Sequence, residues 1–271
     1  LLLAFIPSSL TLGVTQHLAT DIASFPLLWV LPLALYLATF IVAFSRHPIP
    51  IGAVSAALPV VVLALAGAEL VHAQGPVAAL ILLHLAALAL CGLLCHTRLA
   101  RERPDPARLT EFYLLIALGG VLGGMFNTLL APVLFDSVIE YPIALVLALL
   151  MRPAAARPLG PALRWGLTVA APVLVAAAII GINHFAASLP LSTGLARLVW
   201  VCIPIVICLG VSRIPTAFAL GTGAILGSAI YLTNAELAGL YQQRTFFGVY
   251  RVYRNPPFTV LVHGTTTHGF Q

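Results

Sequence analysis

Charged side chains are nearly absent from long stretches of this 271-residue chain. Asp, Glu, Lys and Arg together make up 8% of the residues, whereas 61% are hydrophobic. The stretch from residue 25 to residue 44 contains no Asp, Glu, Lys, Arg or His. A helix of about 20 residues spans roughly 30 Å, the thickness of the hydrocarbon core of a bilayer. The solvent for most of this protein is therefore predicted to be lipid, and its backbone must satisfy its hydrogen bonds within helices.

About nine apolar segments follow one another along the chain, and they predict an all-α integral membrane protein with about nine transmembrane helices. The segments are residues 1–14, 25–44, 51–71, 76–95, 112–135, 139–151, 165–185, 195–211 and 214–232. We interpret residues 1–232 as one polytopic transmembrane domain. The chain opens within an apolar run and without a basic leader, so it is expected to be cut from a longer protein. Its four cysteines all lie in apolar segments and are expected to be buried.

Residues 233–271 differ in composition from the apolar segments and are predicted to lie outside the membrane. Residues 244–253 are aromatic and β-branched, as strands are, and residues 258–262 form a second such run. Asn255, Pro256 and Pro257 between them signal a turn. A short C-terminal β-hairpin is therefore expected. Because a two-stranded hairpin alone is marginally stable, it must pack on the membrane domain or begin a truncated soluble domain.

The charges predict an orientation. Arginines follow the second, fourth, sixth and eighth segments, whereas Asp21, Asp136 and Glu140 occupy the opposite loops, where Arg197 is the exception. The positive-inside rule places the arginine loops in the cytoplasm and the C-terminal tail outside the cell. All 13 basic residues are arginines, which excludes lysine-based chemistry. Because most of the arginines sit in short loops between apolar segments, nucleic acid is not an expected partner; the lipid bilayer is.

Six glycines are predicted to pack helices. Gly119, Gly120, Gly123 and Gly124 form two overlapping pairs of small residues four apart, and Gly223 and Gly227 repeat the spacing. Such pairs let another helix approach closely. A hinge or a groove that lines a substrate path is the alternative.

A polar stretch from Ser8 to Asp21 lies between two apolar runs. Polar atoms at this density beside a span line water or cap broken helices. His17 and Asp21 are four residues apart and can pair on one helix face. We consider them candidate substrate-binding residues at the outer mouth, with an exposed interfacial helix as the alternative.

Other polar side chains in apolar segments need an explanation. Glu69 closes the third segment and, if it lies deeper than the interface, needs a partner. His84 shares one helical stripe with Cys91 and Cys95, but a single helix does not supply a complete ligand set. A hydrogen-bonded core histidine is preferred, and neither a metal site nor a cofactor is predicted. Glu111 begins the fifth segment, where a carboxylate complements the helix dipole.

Short strings distributed over nearly the whole chain carry a family resemblance. They are PSSL at 7–10, GVT at 13–15, TDIA at 20–23, PLLWVLPLALY at 26–36, FYL at 112–114 before the glycine run, EYP at 140–142, and FFGVY at 246–250 leading to HGTTTHGFQ at 263–271. Together they resemble the bacterial fused major-facilitator/spermidine-synthase-like membrane proteins. The resemblance implies a bacterial inner membrane, further spans before this region, and a soluble aminopropyltransferase-like domain after it.

The resemblance also bears on the end of the chain. Spermidine synthases carry an Asp-Gly-x-x-Gln string near this point, whereas His263, His268 and Gln271 stand here. Although the spacing differs from that string, the resemblance makes Gln271 a candidate substrate-binding residue. The charge rule places this tail outside, yet the nucleotide donor of that enzyme class is cytoplasmic. Either the attached domain has lost that activity, or the number of spans differs by one.

Three functions are compatible with the sequence. The first is an integral-membrane module that anchors a spermidine-synthase-like domain and handles a polyamine or related small cation. The second is a non-catalytic accessory subunit of a larger membrane complex. The third, an enzyme complete within this chain, ranks last because no catalytic constellation is recognisable.

Overall fold

A computed structural model describes residues 1–22, 27–73, 75–154, 159–185, 193–236, 239–245, 248–264 and 266–271. Within these residues the chain forms ten α-helices followed by four strands. The helices are α1 Leu2–His17, α2 Val30–Ala43, α3 Ile51–Leu70, α4 Val77–Arg101, α5 Leu109–Met125, α6 Ala131–Leu134, α7 Glu140–Leu150, α8 Pro161–Phe185, α9 Thr193–Gly210 and α10 Pro215–Glu236. π-helical turns extend α1 over Leu18–Ile22 and join α5 to α6 over Phe126–Leu130.

The predicted helical, apolar architecture is confirmed. Six helical stretches are long and apolar enough to cross a membrane: Leu2–Thr20, Ile51–Leu70, Val77–Arg101, Pro106–Leu134, Pro161–His184 and Pro215–Asn234. Three further apolar helices are shorter, over Val30–Ala43, Glu140–Leu150 and Leu198–Gly210. The number of nine spans therefore stays a prediction, since it depends on whether these three cross.

Helix α1 lies at the centre of the bundle. Ile6, Leu10 and Val14 follow one another at intervals of four residues and are fully buried. Helix α1 packs against α4, α5 and α7. A central helix surrounded on several sides brings its own polar residues close to side chains from distant parts of the chain.

Large apolar side chains cover the outside of the bundle, as expected for a protein solvated by lipid. On α5, Leu114 and Val121 are 66% and 57% exposed. An apolar surface of this kind is compatible with a bilayer and not with water. The predicted burial of the cysteines is confirmed for three of them but is wrong for Cys202, which is exposed. In a lipid-facing bundle, an apolar position can point outwards as readily as inwards.

Two of the predicted packing glycines hold α5 against α1. A Cβ added to Gly119 would lie 2.6 Å from the carbonyl oxygen of Leu1, and one added to Gly123 would lie 2.5 Å from that of Phe5. The two backbones approach so closely that only hydrogen fits between them. The Ser8 hydroxyl, which donates to the Gly120 carbonyl at 2.8 Å, fixes the same contact.

Of the other four predicted packing glycines, one marks a close approach between helices in the described residues and three do not. A Cβ on Gly223 of α10 would meet Val146 of α7 at 3.0 Å, so this position also marks a close approach. At Gly120, Gly124 and Gly227 the described residues show no such close approach, so helix packing at these three glycines stays a prediction. Gly120 and Gly227 have no neighbour within 4 Å of an added Cβ, and Gly124 has only Leu12 at 3.9 Å. The reason is geometric: residues one apart on a helix point about 100° apart, so one stripe faces α1 and the other faces outwards.

The C-terminal tail forms a four-stranded antiparallel sheet rather than the predicted two-stranded hairpin. Its strands are β1 Tyr241–Thr245, β2 Gly248–Asn255, β3 Phe258–His263 and β4 Thr266–Phe270, in that spatial order. The predicted turn is where β2 meets β3, with Asn255 paired to Phe258. The edge strands β1 and β4 are polar and lack a hydrophobic run, so the sequence did not reveal them. Phe246 and Phe247, which belong to the family-like string, lie outside the described residues.

One buried ion pair docks this sheet on the helices. The Arg244 guanidinium of β1 donates to both carboxylate oxygens of Glu140, at 2.9 and 2.5 Å, and also to the Ser137 carbonyl. Both charged side chains are at least 94% buried. Gln242 adds a hydrogen bond of 2.8 Å to the Asp136 carbonyl. The sheet is thus fixed to the first turn of α7 by a bidentate, charge-assisted contact.

The contrast between the two glycine stripes yields a matched test. Replacing Gly123 by Ala should lower the stability of the detergent-solubilised protein by about 1–3 kcal/mol, because the added methyl overpacks α5 against α1. Gly120→Ala, three residues away and facing open space, should leave stability unchanged or raise it slightly. Unfolding in a denaturant series would measure both. Equal effects at the two positions would contradict the assigned α1–α5 contact.

Replacing Arg244 by Met should loosen the sheet, because Glu140 is left as a buried, unpaired carboxylate. We expect a loss of about 3–5 kcal/mol in the local opening free energy of β1 and β2. Hydrogen–deuterium exchange resolved by strand would measure it. Arg108→Met removes an exposed pair with Glu111 and is the control, with an expected change of about 1 kcal/mol or less. Unchanged exchange in β1 and β2 would rule out the docking role.

Candidate functional site

Three ionisable side chains from three different helices converge inside the bundle. They are His17 at the last turn of α1, Glu69 near the end of α3, and His84 in α4. The Nε2 atom of His17 lies 3.2 Å from Oε1 of Glu69, and Nε2 of His84 lies 3.4 Å from the same oxygen. One atom of each residue lies within 4.8 Å of the others, so the three can contact a common ion. We call these residues the His–Glu–His cluster.

A tyrosine from a fourth helix fixes one imidazole of the cluster. Nδ1 of His84 and the hydroxyl of Tyr141 in α7 are 2.8 Å apart. The ring of Tyr141 also packs against His17, with ring centroids 5.5 Å apart. Gly13 permits this arrangement, since a Cβ there would lie 3.1 Å from both Cα and Cβ of Tyr141. The close approach of α1 and α7 is therefore part of how the cluster is built.

Burial within the cluster is graded. The side chain of His84 is 2% exposed and that of His17 is 14% exposed, whereas that of Glu69 is 31% exposed. Glu69 is therefore the most accessible of the three side chains. A single carboxylate faced by two imidazoles attracts positive charge, and neutral imidazoles add two nitrogen lone pairs. The arrangement can bind a proton, an ammonium group or a metal ion.

The backbone directly after His17 departs from regular α-helical geometry. Residues Leu18–Ile22, directly after α1, form a π-helical turn. π-helical turns widen a helix locally and are frequent at functional sites. This π-helical turn begins one residue after His17, a member of the His–Glu–His cluster.

The sequence-predicted site residues have different outcomes. His17 belongs to the cluster, but its partner there is Glu69. The side chain of Asp21, its predicted partner, lies outside the described part of the structure. Gln271 ends the C-terminal sheet, where its backbone pairs with Thr259 and its side chain is exposed. The structure thus brings one of the three predicted residues into the cluster.

Glu69 and His84 were recognised in the sequence as groups that need an explanation but were not predicted to bind anything. Their partners come from other helices, and no local spacing reveals them. The stripe of His84, Cys91 and Cys95 is real, and all three are buried. The His84 imidazole, however, contacts Tyr141 and Glu69 from neighbouring helices. The buried His96 in the same helix pairs instead with the Thr39 hydroxyl at 3.1 Å and packs between aromatic rings.

Most other polar residues of the Ser8–Asp21 stretch have structural partners. The hydroxyls of Thr11, Thr15 and Thr20 donate to backbone carbonyls four residues earlier. The amide of Asn127 donates to the Ser9 hydroxyl at 2.6 Å and links α1 to the end of α5. These bonds satisfy polar groups inside an apolar bundle. Among the side chains of this stretch that the structure describes, His17 joins the ionisable cluster.

A groove of about 410 Å³ lies elsewhere, where α3 begins and α9 ends, and is lined in part by Arg152 and Arg213. Arg152 donates to the carbonyls of Ser212 and Ser55 at 3.0 and 3.1 Å and stacks over the Phe218 ring. These contacts tie helix ends together. The groove is therefore explained by helix packing, and the His–Glu–His cluster is the stronger candidate for function.

Comparisons with known proteins do not identify the chain. No protein-family model, no curated protein and no solved structure matches it.

Proposed function

We propose that this chain is the integral-membrane module of a larger protein of the fused major-facilitator/spermidine-synthase-like kind, and that it binds a small cation at the His–Glu–His cluster. One observation carries the proposal: a carboxylate held between two imidazoles, each contributed by a different helix of an apolar bundle. An ionised carboxylate costs about 2.5–3.5 kcal/mol on membrane-insertion scales. Such groups within spans mark ion or substrate sites.

The docking of the sheet supports the module part of the proposal. Glu140, which binds Arg244 of the sheet, directly precedes Tyr141, which binds His84 of the cluster. An extramembrane element is therefore attached within one helical turn of the cation site. This is the arrangement expected if a soluble domain sits over the entrance to a membrane site. We propose that a small cation, for which a polyamine is one candidate, reaches the cluster past Glu69.

The orientation is part of the same proposal. With the arginine-bearing connections in the cytoplasm of a bacterial inner membrane, the sheet and the exposed edge of the cluster face the outside. A cation that arrives from outside then meets Glu69 before it meets the buried His84.

A non-catalytic accessory subunit is the second candidate, and one observation favours it. Helix α5 packs its Gly119/Gly123 stripe on α1, while the face with Gly120 and Gly124 remains open. A stripe of small residues can receive a helix of another subunit. Co-purification with a membrane partner at fixed stoichiometry would favour this function, and a monodisperse monomer in mild detergent would count against it.

Replacing Glu69 by Gln should abolish cation binding, because it removes the negative charge and keeps the shape of the side chain. Spermidine, Na⁺ and Zn²⁺ would each be tested for protection of the solubilised chain against thermal unfolding. A cation that occupies the site should stabilise the wild type by about 2.7 kcal/mol at a hundred times its Kd. Glu111→Gln, at an exposed carboxylate, should retain the protection. Protection that persists in Glu69→Gln, or its absence for every cation, would overturn the proposal.

The sidedness of the sheet can be tested by cysteine labelling. Asn255→Cys, at the exposed β2–β3 turn, should react in intact cells with a reagent that does not cross membranes. Asp105→Cys, between α4 and α5 beside the arginines, should react only after permeabilisation. Both variants need the exposed Cys202 replaced by Ser to remove background. The opposite labelling pattern would place the sheet in the cytoplasm and would revive a cytoplasmic aminopropyltransferase-like domain.

A further inference from the structure

We infer that the His–Glu–His cluster is a binding site for a divalent transition metal of the zinc class, with His17, Glu69 and His84 as its protein ligands. This inference rests on the proposed function, because it names the chemical class of the cation. It is distinct from the single-helix stripe of His84, Cys91 and Cys95, since its ligands come from three helices.

The spacing of the ligand atoms fits tetrahedral coordination. Zinc binds imidazole nitrogen and carboxylate oxygen at about 2.0–2.2 Å, so two ligands of a tetrahedral ion lie about 3.3–3.5 Å apart. The two measured distances from Glu69 Oε1, to Nε2 of His17 and to Nε2 of His84, are 3.2 and 3.4 Å. The ligand atoms of the two histidines lie within 4.8 Å of each other. Two edges of a tetrahedron are thus in place, and a small movement of one imidazole closes the third.

The types of ligand select among metals. Mg²⁺ and Ca²⁺ prefer sites made of oxygen atoms, whereas two imidazoles and one carboxylate suit zinc, cobalt and their neighbours. Two histidines and one glutamate are also a known ligand set of zinc sites that keep an open position. In this cluster the three side chains leave a fourth position, and the partly exposed Glu69 indicates the side from which a water or an incoming ligand would reach it.

Tyr141 supplies the supporting contact that metal-bound histidines require. A histidine that binds a metal through Nε2 carries its proton on Nδ1 and donates it to a neighbour. The Tyr141 oxygen lies 2.8 Å from Nδ1 of His84 and can accept that proton. Without metal, the same hydroxyl can donate to Nδ1 while Nε2–H donates to Glu69. Because a hydroxyl both donates and accepts, the contact holds the ring in place in either state.

The experiment uses the whole chain, purified in detergent and stripped with a chelator. Addition of Co²⁺ should give about one bound ion per chain, with the intense visible absorption of four-coordinate cobalt, and Zn²⁺ should displace it. Glu69→Gln and His84→Ala should lose the absorption. His96→Ala removes a buried histidine of the same helix and should retain it. Excess Mg²⁺ should not compete.

Tyr141→Phe tests the supporting contact separately. Loss of the hydroxyl should weaken Co²⁺ binding about 10–100-fold without changing the stoichiometry. Tyr113→Phe, at an exposed tyrosine of α5, is the control and should bind as the wild type does. Circular dichroism and gel filtration of each variant check that it is folded. If His84→Ala aggregates, the nearly isosteric Glu69→Gln carries the test.

The outcomes separate this inference from the proposed function. Absence of bound Co²⁺ and Zn²⁺, or equal loss in His84→Ala and His96→Ala, would overturn the metal inference. If spermidine or Na⁺ still protected the wild type and not Glu69→Gln, the proposed function would stand without the metal. If no cation bound at all, both would fall.

Discussion

The structure depends on the need of polar groups for partners inside an apolar environment. In the hydrocarbon region there is no water to replace a missing hydrogen bond, so a buried polar group there is stabilised by a neighbour within the protein. The threonines of α1 turn their hydroxyls back to their own helix. Ser8 and Asn127 instead use their bonds to hold α5 in place. The carboxylate of Glu69 is instead contacted by two imidazoles, those of His17 and His84.

The same need explains why α1 is central although its sequence is the most polar of the early helices. A helix that carries hydroxyls, a glutamine and a histidine is a poor match for lipid. Surrounded by α4, α5 and α7, it can meet partners instead of lipid. Gly13, Gly119 and Gly123 make this possible because they let neighbouring helices come within backbone contact of α1. The polar side chains of α1 and the glycines at its contacts thus both favour its central position.

The apolar runs predicted the helices well, because hydropathy reports directly on what a segment can bury or expose to lipid. The site was less accessible for a physical reason. His17, Glu69 and His84 are separated by 52 and 15 residues along the chain, and their meeting is a consequence of tertiary packing. The four-residue spacing within one helix pairs His17 with Asp21, but it carries no information about contacts with α3. The edge strands β1 and β4 escaped notice likewise, since a polar strand is stabilised by its neighbour and not by its own pattern.

The first turn of α7 contacts both the C-terminal sheet and the His–Glu–His cluster. Glu140 and Tyr141 are adjacent, so their side chains leave the helix about 100° apart, and each reaches a different structure. The first binds the sheet through Arg244, and the second holds His84. Two adjacent residues of one helical turn thus join the sheet to the imidazole of His84. The C-terminal sheet and the His–Glu–His cluster are therefore linked through the same end of α7, by a bidentate ion pair on one side and a hydrogen bond on the other.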